Sequence, residues 1–230
     1  MSAPSRPILT IDIWSDVMCP WCIIGYKQLE TALAALDSEI SAEIRWRPFE
    51  LNPDMAAQGE DSAAHLQRKY GRTAQQAADA RSRMSEMAEA AGYSFRYDGV
   101  GEPPAARLWN TFLAHKLLAH TLRAHGPEAQ TRLKLALFDA HFQQRRDVSD
   151  RAVLTEIYVG TGLPVYEAEI AFDDPVLGEL VRAEETQAMD LNITGVPAMV
   201  VGGRLLIPGA QDPETYTAAL RRAVERGMAA

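Results

Sequence analysis

The chain reads as an α/β protein in which a βαβ unit and a ββα unit are separated by a long helical block. Three observations predict this. Near the start, the apolar, β-branched run Ile8-Leu9-Thr10-Ile11-Asp12-Ile13-Trp14 is followed by a helical pattern and a second strand-like run. From about Asp61 to Asp190, Ala, Leu, Gln, Glu and Arg dominate at helical spacing. The last ~40 residues return to two short strand patterns and a helix. A sheet divided in sequence in this way predicts one domain inserted into another, with residues 1–58 and 191–230 forming the sheet domain and 59–190 the helical insertion.

The elements follow from local chemistry. Ile23 to Glu30, continued by Leu33 and Leu36, has the apolar stripe of the first helix. Glu43-Ile44-Arg45-Trp46-Arg47-Pro48-Phe49 alternates as a second strand, weakened at its end by Pro48. Leu51-Asn52-Pro53-Asp54 is a turn. Within the insertion, Thr73 to Ala91 reads as a polar helix stopped by Gly92, followed by a short extended piece from Tyr93 to Tyr97. Pro103-Pro104 marks an expected helix start, with a stripe through Leu108, Phe112, His115, Leu118 and Leu122 that Gly126-Pro127 stops. Leu133, Leu137, Phe138 and His141 form the next stripe. Ser149-Asp150 caps a short helix ending at Gly160, and Pro175 opens one towards Met189. Pro197 to Val201 and Arg204 to Ile207 flank the hairpin turn Gly202-Gly203, and Asp212-Pro213-Glu214 starts the last helix.

Composition narrows the function. Of the 230 residues, 47% are hydrophobic and 23% charged, ordinary for a globular protein. The net charge of −8 argues against a nucleic-acid partner and gives no reason to expect an anionic membrane surface. No run is long enough to span a membrane, and Met1 to Pro7 lacks the apolar core of a secretory signal, so the cytoplasm is the expected location.

The chemistry concentrates in one tetrapeptide. Cys19-Pro20-Trp21-Cys22 holds both cysteines of the chain, between a strand and a helix. Two thiols at this spacing can close a disulfide over one turn, and a helix N-terminus stabilises the thiolate that attacks. Pro20 fits the first turn, where its missing N–H costs nothing. Half a zinc site is a weaker reading, because zinc takes four ligands and His65, His115, His120, His125 and His141 show no paired spacing near the cysteines. No metal site is expected. A static disulfide of so short a loop would gain little.

A βαβ unit carrying C-x-x-C, with a ββα unit preceded by Gly195-Val196-Pro197, resembles the thioredoxin fold, and the helical insertion narrows the likeness to the DsbA-like family. Ser15-Asp16 before the motif, Leu51-Asn52-Pro53-Asp54, Asn110-Thr111-Phe112 with Ala114-His115, and Gly209-Ala210-Gln211 resemble the FrnE-type branch. Ile23 departs from the aromatic residue often found there, and the lack of C-terminal cysteines excludes a second redox relay.

The resemblance implies a thiol–disulfide oxidoreductase acting on protein or peptide disulfides, with glutathione as a co-substrate and no bound cofactor. Cys19 is then the nucleophile, exposed at the helix tip with a lowered pKa, and Cys22 the buried resolving thiol. Pro20 and Trp21 tune the pair, Trp21 also touching substrate at the rim. Neither supplies charge to the thiolate, so the couple is expected to be less oxidising than DsbA itself, at about −120 mV against about −270 mV for thioredoxin. Val196-Pro197 resembles the superfamily's cis-proline loop, whose backbone pairs with an extended substrate. Asp16 reads equally as a proton relay for Cys22 or as a solvated loop acid. His115 is expected to be a packing histidine with its hydrogen bonds met, and Asn52, Asn110 and Gln211 structural hydrogen-bonders. Two rivals remain: a glutathione-dependent isomerase or transferase resembling 2-hydroxychromene-2-carboxylate isomerase or the kappa-class transferases, which typically carry serine in place of Cys19, and a non-enzymatic interaction module.

Overall fold

β1 (Ile8–Ser15) runs straight into α1 (Pro20–Ala35), and β2 (Ser41–Pro48) completes the first unit. The insertion follows as β3 (Glu60–Asp61), α2 (Ser62–Tyr70), α3 (Ala74–Ala90), β4 (Arg107–Leu108), α4 (Phe112–Phe142), α5 (Arg151–Gly160), α6 (Val165–Asp173) and α7 (Pro175–Asp190). β5 (Ala198–Val201), β6 (Leu205–Pro208) and α8 (Pro213–Glu225) close the chain. This is a computed structural model, and it describes residues 6–71 and 73–229. Met1–Ser5, on which the expected lack of an export signal partly rests, lie outside the described residues.

The helix starts are set by the residues before them. Thr73 forms a reciprocal capping box with Gln76, and Asp150, Asp174 and Asp212 accept the N–H groups of Val153, Val176 and Thr215. Prolines occupy the first turns of α1, α7 and α8.

The main sheet has the order β2-β1-β5-β6, with β1 parallel to β2 and the other pairs antiparallel. Alternation splits its two faces. Leu9, Ile11, Ile13, Trp46, Met199 and Val201 pack beneath α1 and α8, against Leu29, Tyr216 and Leu220. Trp14, Ala198 and Val200 face the other way, against Ala188 of α7 and Ile193. The insertion has its own core around Leu117, Leu133, Leu154, Tyr158 and Val181, and it also sends Phe138 and Phe142 into the sheet core.

Two expectations for the insertion need correction. No helix starts at Pro103-Pro104. The Ala106 carbonyl accepts from Ser62, Leu108 pairs with Glu60, and the Trp109 N–H goes to Met18 Sδ, so backbone groups that a helix would use are bonded elsewhere. The helix begins at Phe112. The piece from Tyr93 to Tyr97 is not a strand: it is irregular, and Tyr93 and Phe95 pack into the sheet core.

Gly126 breaks α4, with φ 82° and ψ −179°, and Pro127 opens its second half. The fold-back is tight. Gln130 Nε2 lies 3.2 Å from the Leu118 carbonyl, whereas a straight helix would hold residues twelve apart at ~18 Å. Gln130 also clasps Trp46, its Oε1 accepting the Trp46 N–H at 2.8 Å and its Nε2 donating to the Trp46 carbonyl at 2.8 Å. This elbow sends the second half of α4 beneath the first strand's exit.

Candidate active site

Cys19 is the N-cap of α1, with extended φ −86° and ψ 112°, and Pro20 is the first helical residue. Its N–H donates to the Asp16 carbonyl at 3.2 Å, and the Cys22 N–H donates to the Cys19 carbonyl at 3.0 Å. Both cysteines are reduced. The expectation of an exposed Cys19 is corrected: it is 3% exposed, against 0% for Cys22. The exposed residue at this tip is Trp21, at 40%.

The loop after α7 supplies the opposite wall. The Val196–Pro197 bond is cis, and Cys19 Sγ donates to the Val196 carbonyl at 3.5 Å. Behind this loop, Gly209 N–H donates to the Pro197 carbonyl at 2.8 Å, and the Tyr216 hydroxyl accepts the Gln211 N–H at 3.2 Å. Gly25, which carried no signal in the sequence, permits the close approach of α1. A Cβ there would sit 3.1 Å from Pro197 Cγ and 3.3 Å from Ala210.

Beneath the cysteines lies a buried polar cluster. Asp16 is not a solvated loop acid: it is fully buried, and its carboxylate accepts the Leu51 N–H at 2.8 Å and the Met18 N–H at 3.2 Å. Burial pushes its carboxyl above the usual range, against the pull of those N–H groups and of Lys134. Lys134, from beyond the α4 elbow, is also fully buried. Its Nζ donates to the Ser15 carbonyl at 3.3 Å and lies 5.0 Å from the Phe138 ring centre. Burial pushes its ammonium down to about 8, opposed by the charges of Cys22, Asp16 and Cys19.

His115 Nε2 approaches Asp16 Oδ1 only to 3.9 Å and makes no hydrogen bond, so the expectation of a fully satisfied packing histidine is corrected. Burial, with the Lys134 and Arg182 charges, holds its imidazole well below the ordinary value and therefore neutral.

The thiols ionise as a pair. The hydrogen bond with Cys22, then burial, pushes the Cys19 thiol up. Burial opposes ionisation of Cys22 too, but hydrogen bonds from Cys19 and Ser15 and the Lys134 charge pull it down. The lowered pKa expected for Cys19 is thus reversed in the reduced dithiol. The helix terminus alone does not decide the matter, because the neighbouring thiol and the groups beneath it favour charge on Cys22.

The remaining expected residues hold loops together. Asn110 Oδ1 accepts the Phe112 N–H at 3.0 Å, Asn52 Oδ1 accepts from Lys69 at 3.1 Å, and Gln211 donates to the Pro208 carbonyl at 2.6 Å.

A strand-to-helix dithiol facing a cis-proline loop, on a four-stranded mixed sheet with a helical insertion, defines a thioredoxin-fold oxidoreductase. The family model described as a DSBA-like thioredoxin domain matches residues 10–221, so the chain belongs to that family of thiol–disulfide oxidoreductases. The probable DsbA oxidoreductase SCO1869 from Streptomyces coelicolor is 33% identical, with 94% of this chain and 90% of that one covered and a TM-score of 0.84. The uncharacterized protein YwbO of Bacillus subtilis is 26% identical over 91% of this chain and 94% of its own length. In fold alone, the chain is similar to the cytosolic disulfide reductase DsbM of Pseudomonas aeruginosa, solved with GSH, at 20% identity and a TM-score of 0.63, with 94% and 99% of the two chains covered. No helix of the described residues is long and apolar enough to cross a membrane.

Proposed function

We propose that the Cys19/Cys22 dithiol reduces or isomerises disulfides of proteins, peptides or glutathione in the cytoplasm. The observation that carries this reading is the Cys19 thiol held 3.5 Å from the Val196 carbonyl, beside the exposed Trp21. The Val196 backbone is suited to pair with an extended peptide or with glutathione, as in strand addition. Trp21 offers an apolar rim for the same segment.

The steps balance as two-electron exchange. Cys19 passes its proton to the Cys22 thiolate and attacks one sulfur of the substrate disulfide, forming a mixed disulfide and releasing a substrate thiolate, which takes up that proton and leaves Cys22 as the thiolate. Cys22 thiolate then attacks the Cys19 sulfur, closing the Cys19–Cys22 disulfide and releasing the second substrate thiol. Lys134 favours the Cys22 thiolate by charge. In this reading Asp16, whose burial raises its pKa, takes and returns the proton of the pair. For protein and peptide substrates, two molecules of glutathione, oxidised to their disulfide, return the enzyme to the dithiol. In a reducing cytoplasm this direction favours reduction.

The rival glutathione-dependent isomerase needs no second thiol, and a vestigial site needs no buried charges around one. The test is turnover of insulin disulfides with glutathione as reductant. Cys19→Ser should abolish it, and Cys22→Ser should accumulate mixed disulfides. Retained turnover in Cys19→Ser would exclude the dithiol mechanism and favour the isomerase or transferase.

A further inference from the structure

A second cluster of chemically capable side chains lies in the insertion, made of residues that the dithiol does not use. His120 and His125 sit in the first half of α4, and Glu167 lies in α6. One ligand atom from each lies within 4.8 Å of the other two. Glu167 Oε2 is 2.6 Å from His125 Nε2 and 3.4 Å from His120 Nε2. The three side chains are 28%, 19% and 15% exposed for His125, His120 and Glu167, so the group is sheltered but open to entry. The Tyr158 hydroxyl donates to the same Glu167 oxygen at 2.9 Å.

We propose that His120, His125 and Glu167 bind one divalent cation of the Zn²⁺ class, with a water completing the shell. Two imidazoles and a carboxylate suit zinc, whereas magnesium and calcium take oxygen ligands. At zinc–ligand distances of about 2.0–2.1 Å, tetrahedral donors lie about 3.3 Å apart. His120 and Glu167 already meet that spacing, and His125 needs to retreat by less than about 1 Å. Tyr158 acts as the outer partner that orients the carboxylate. His125 immediately precedes the Gly126 break. The cation would therefore join α4 to α6 at the elbow whose far side carries Gln130 and Lys134.

The dithiol itself could take zinc, so the test uses the untagged full chain with Cys19 and Cys22 oxidised to a disulfide. Equilibrium dialysis against micromolar Zn²⁺ should leave one zinc per chain. His125→Ala and Glu167→Gln should each weaken binding by tenfold or more, and Tyr158→Phe by a smaller factor. Zn²⁺ should raise the melting temperature of the parent but not of His125→Ala or Glu167→Gln, and Co²⁺ in its place should give the visible band of a four-coordinate site. His120→Gln offers a second, milder removal of a ligand should His125→Ala fail to fold. No zinc retained by the oxidised parent, or retention unchanged in the ligand variants, would overturn the proposal.

Discussion

Asp12 lies in β1 and Asp16 just past its end, four residues on, yet one is tied into ion pairs and the other is kept short of them. Arg47 Nε donates to Asp12 at 2.7 Å, and its Nη1 donates to Glu184 of α7 at 2.5 Å, so each charge at that junction meets an opposite one. Asp16 accepts the Leu51 and Met18 N–H groups, with a side-chain hydrogen bond from Thr111, and no cation closes on it. Its nearby bases do not close on it: His115 stops at 3.9 Å, and Lys134 donates to the Ser15 carbonyl. Both groups bridge the sheet and the insertion. The first fastens them together. The second leaves burial only partly offset, which raises the Asp16 carboxyl and lowers the Lys134 ammonium, and it does so beneath the dithiol.

Lys134→Met should disturb this contrast most. Removing the charge withdraws one pull on Cys22, so the pH profile of dithiol alkylation should move to higher pH and mixed-disulfide resolution near pH 7 should slow severalfold. The sign for stability is opposite. Lys134 has a folded value near 8, below the ordinary 10.5, so folding is penalised as pH falls from above the ordinary value through 8, and fully so below it. A variant without the amine should therefore melt no lower than the parent at pH 7. A clear fall in melting temperature with unchanged alkylation would make Lys134 a packing residue.

Asp16→Asn sharpens the comparison from the other side. The Asp16 charge raises the Cys19 thiol, so alkylation of Cys19 should speed up about threefold. Resolution by Cys22 should slow if the carboxyl moves its proton. Stopped-flow alkylation and quenched mixed-disulfide assays separate the two. Changes of the same sign in both would remove the relay role. The smallest effect on the chemistry is expected for Arg47→Met, which breaks the satisfied group. It should cost about 2 kcal/mol of stability in denaturant unfolding, by the loss of charged hydrogen bonds, and leave the thiol titration in place. A shifted titration would mean that the two groups are coupled.

The parts of the site carried by chain-local chemistry were readable in advance. The C-x-x-C sits at a strand-to-helix junction, Asp212-Pro213 starts α8, and Gly202 and Gly203 both adopt positive φ in the β5–β6 turn. Lys134 was not readable. It neighbours Leu133 on a helix, where a lysine ordinarily reaches solvent, and only the fold-back at Gly126 puts both sides of that segment indoors. The burial of Cys19 was missed because its cover comes from residue 196, far along the chain. The β3–β4 pairing was missed because two residues on each side leave no periodicity to detect.

The clasp of Gln130 on Trp46 has a consequence for assembly. β2 is an outer strand, and such a strand ordinarily offers its N–H and C=O groups as a template for another chain. Here a side-chain amide occupies both groups of Trp46, and α4 and α7 pack along the same strand. The opposite outer strand, β6, ends in Pro208 and carries the partly exposed Leu206. Growth of a continuous sheet from molecule to molecule needs two receptive sides. With Trp46 taken by Gln130 and the strand flanked by α4 and α7, edge-on association through β6 would end at a two-fold pair rather than a fibre.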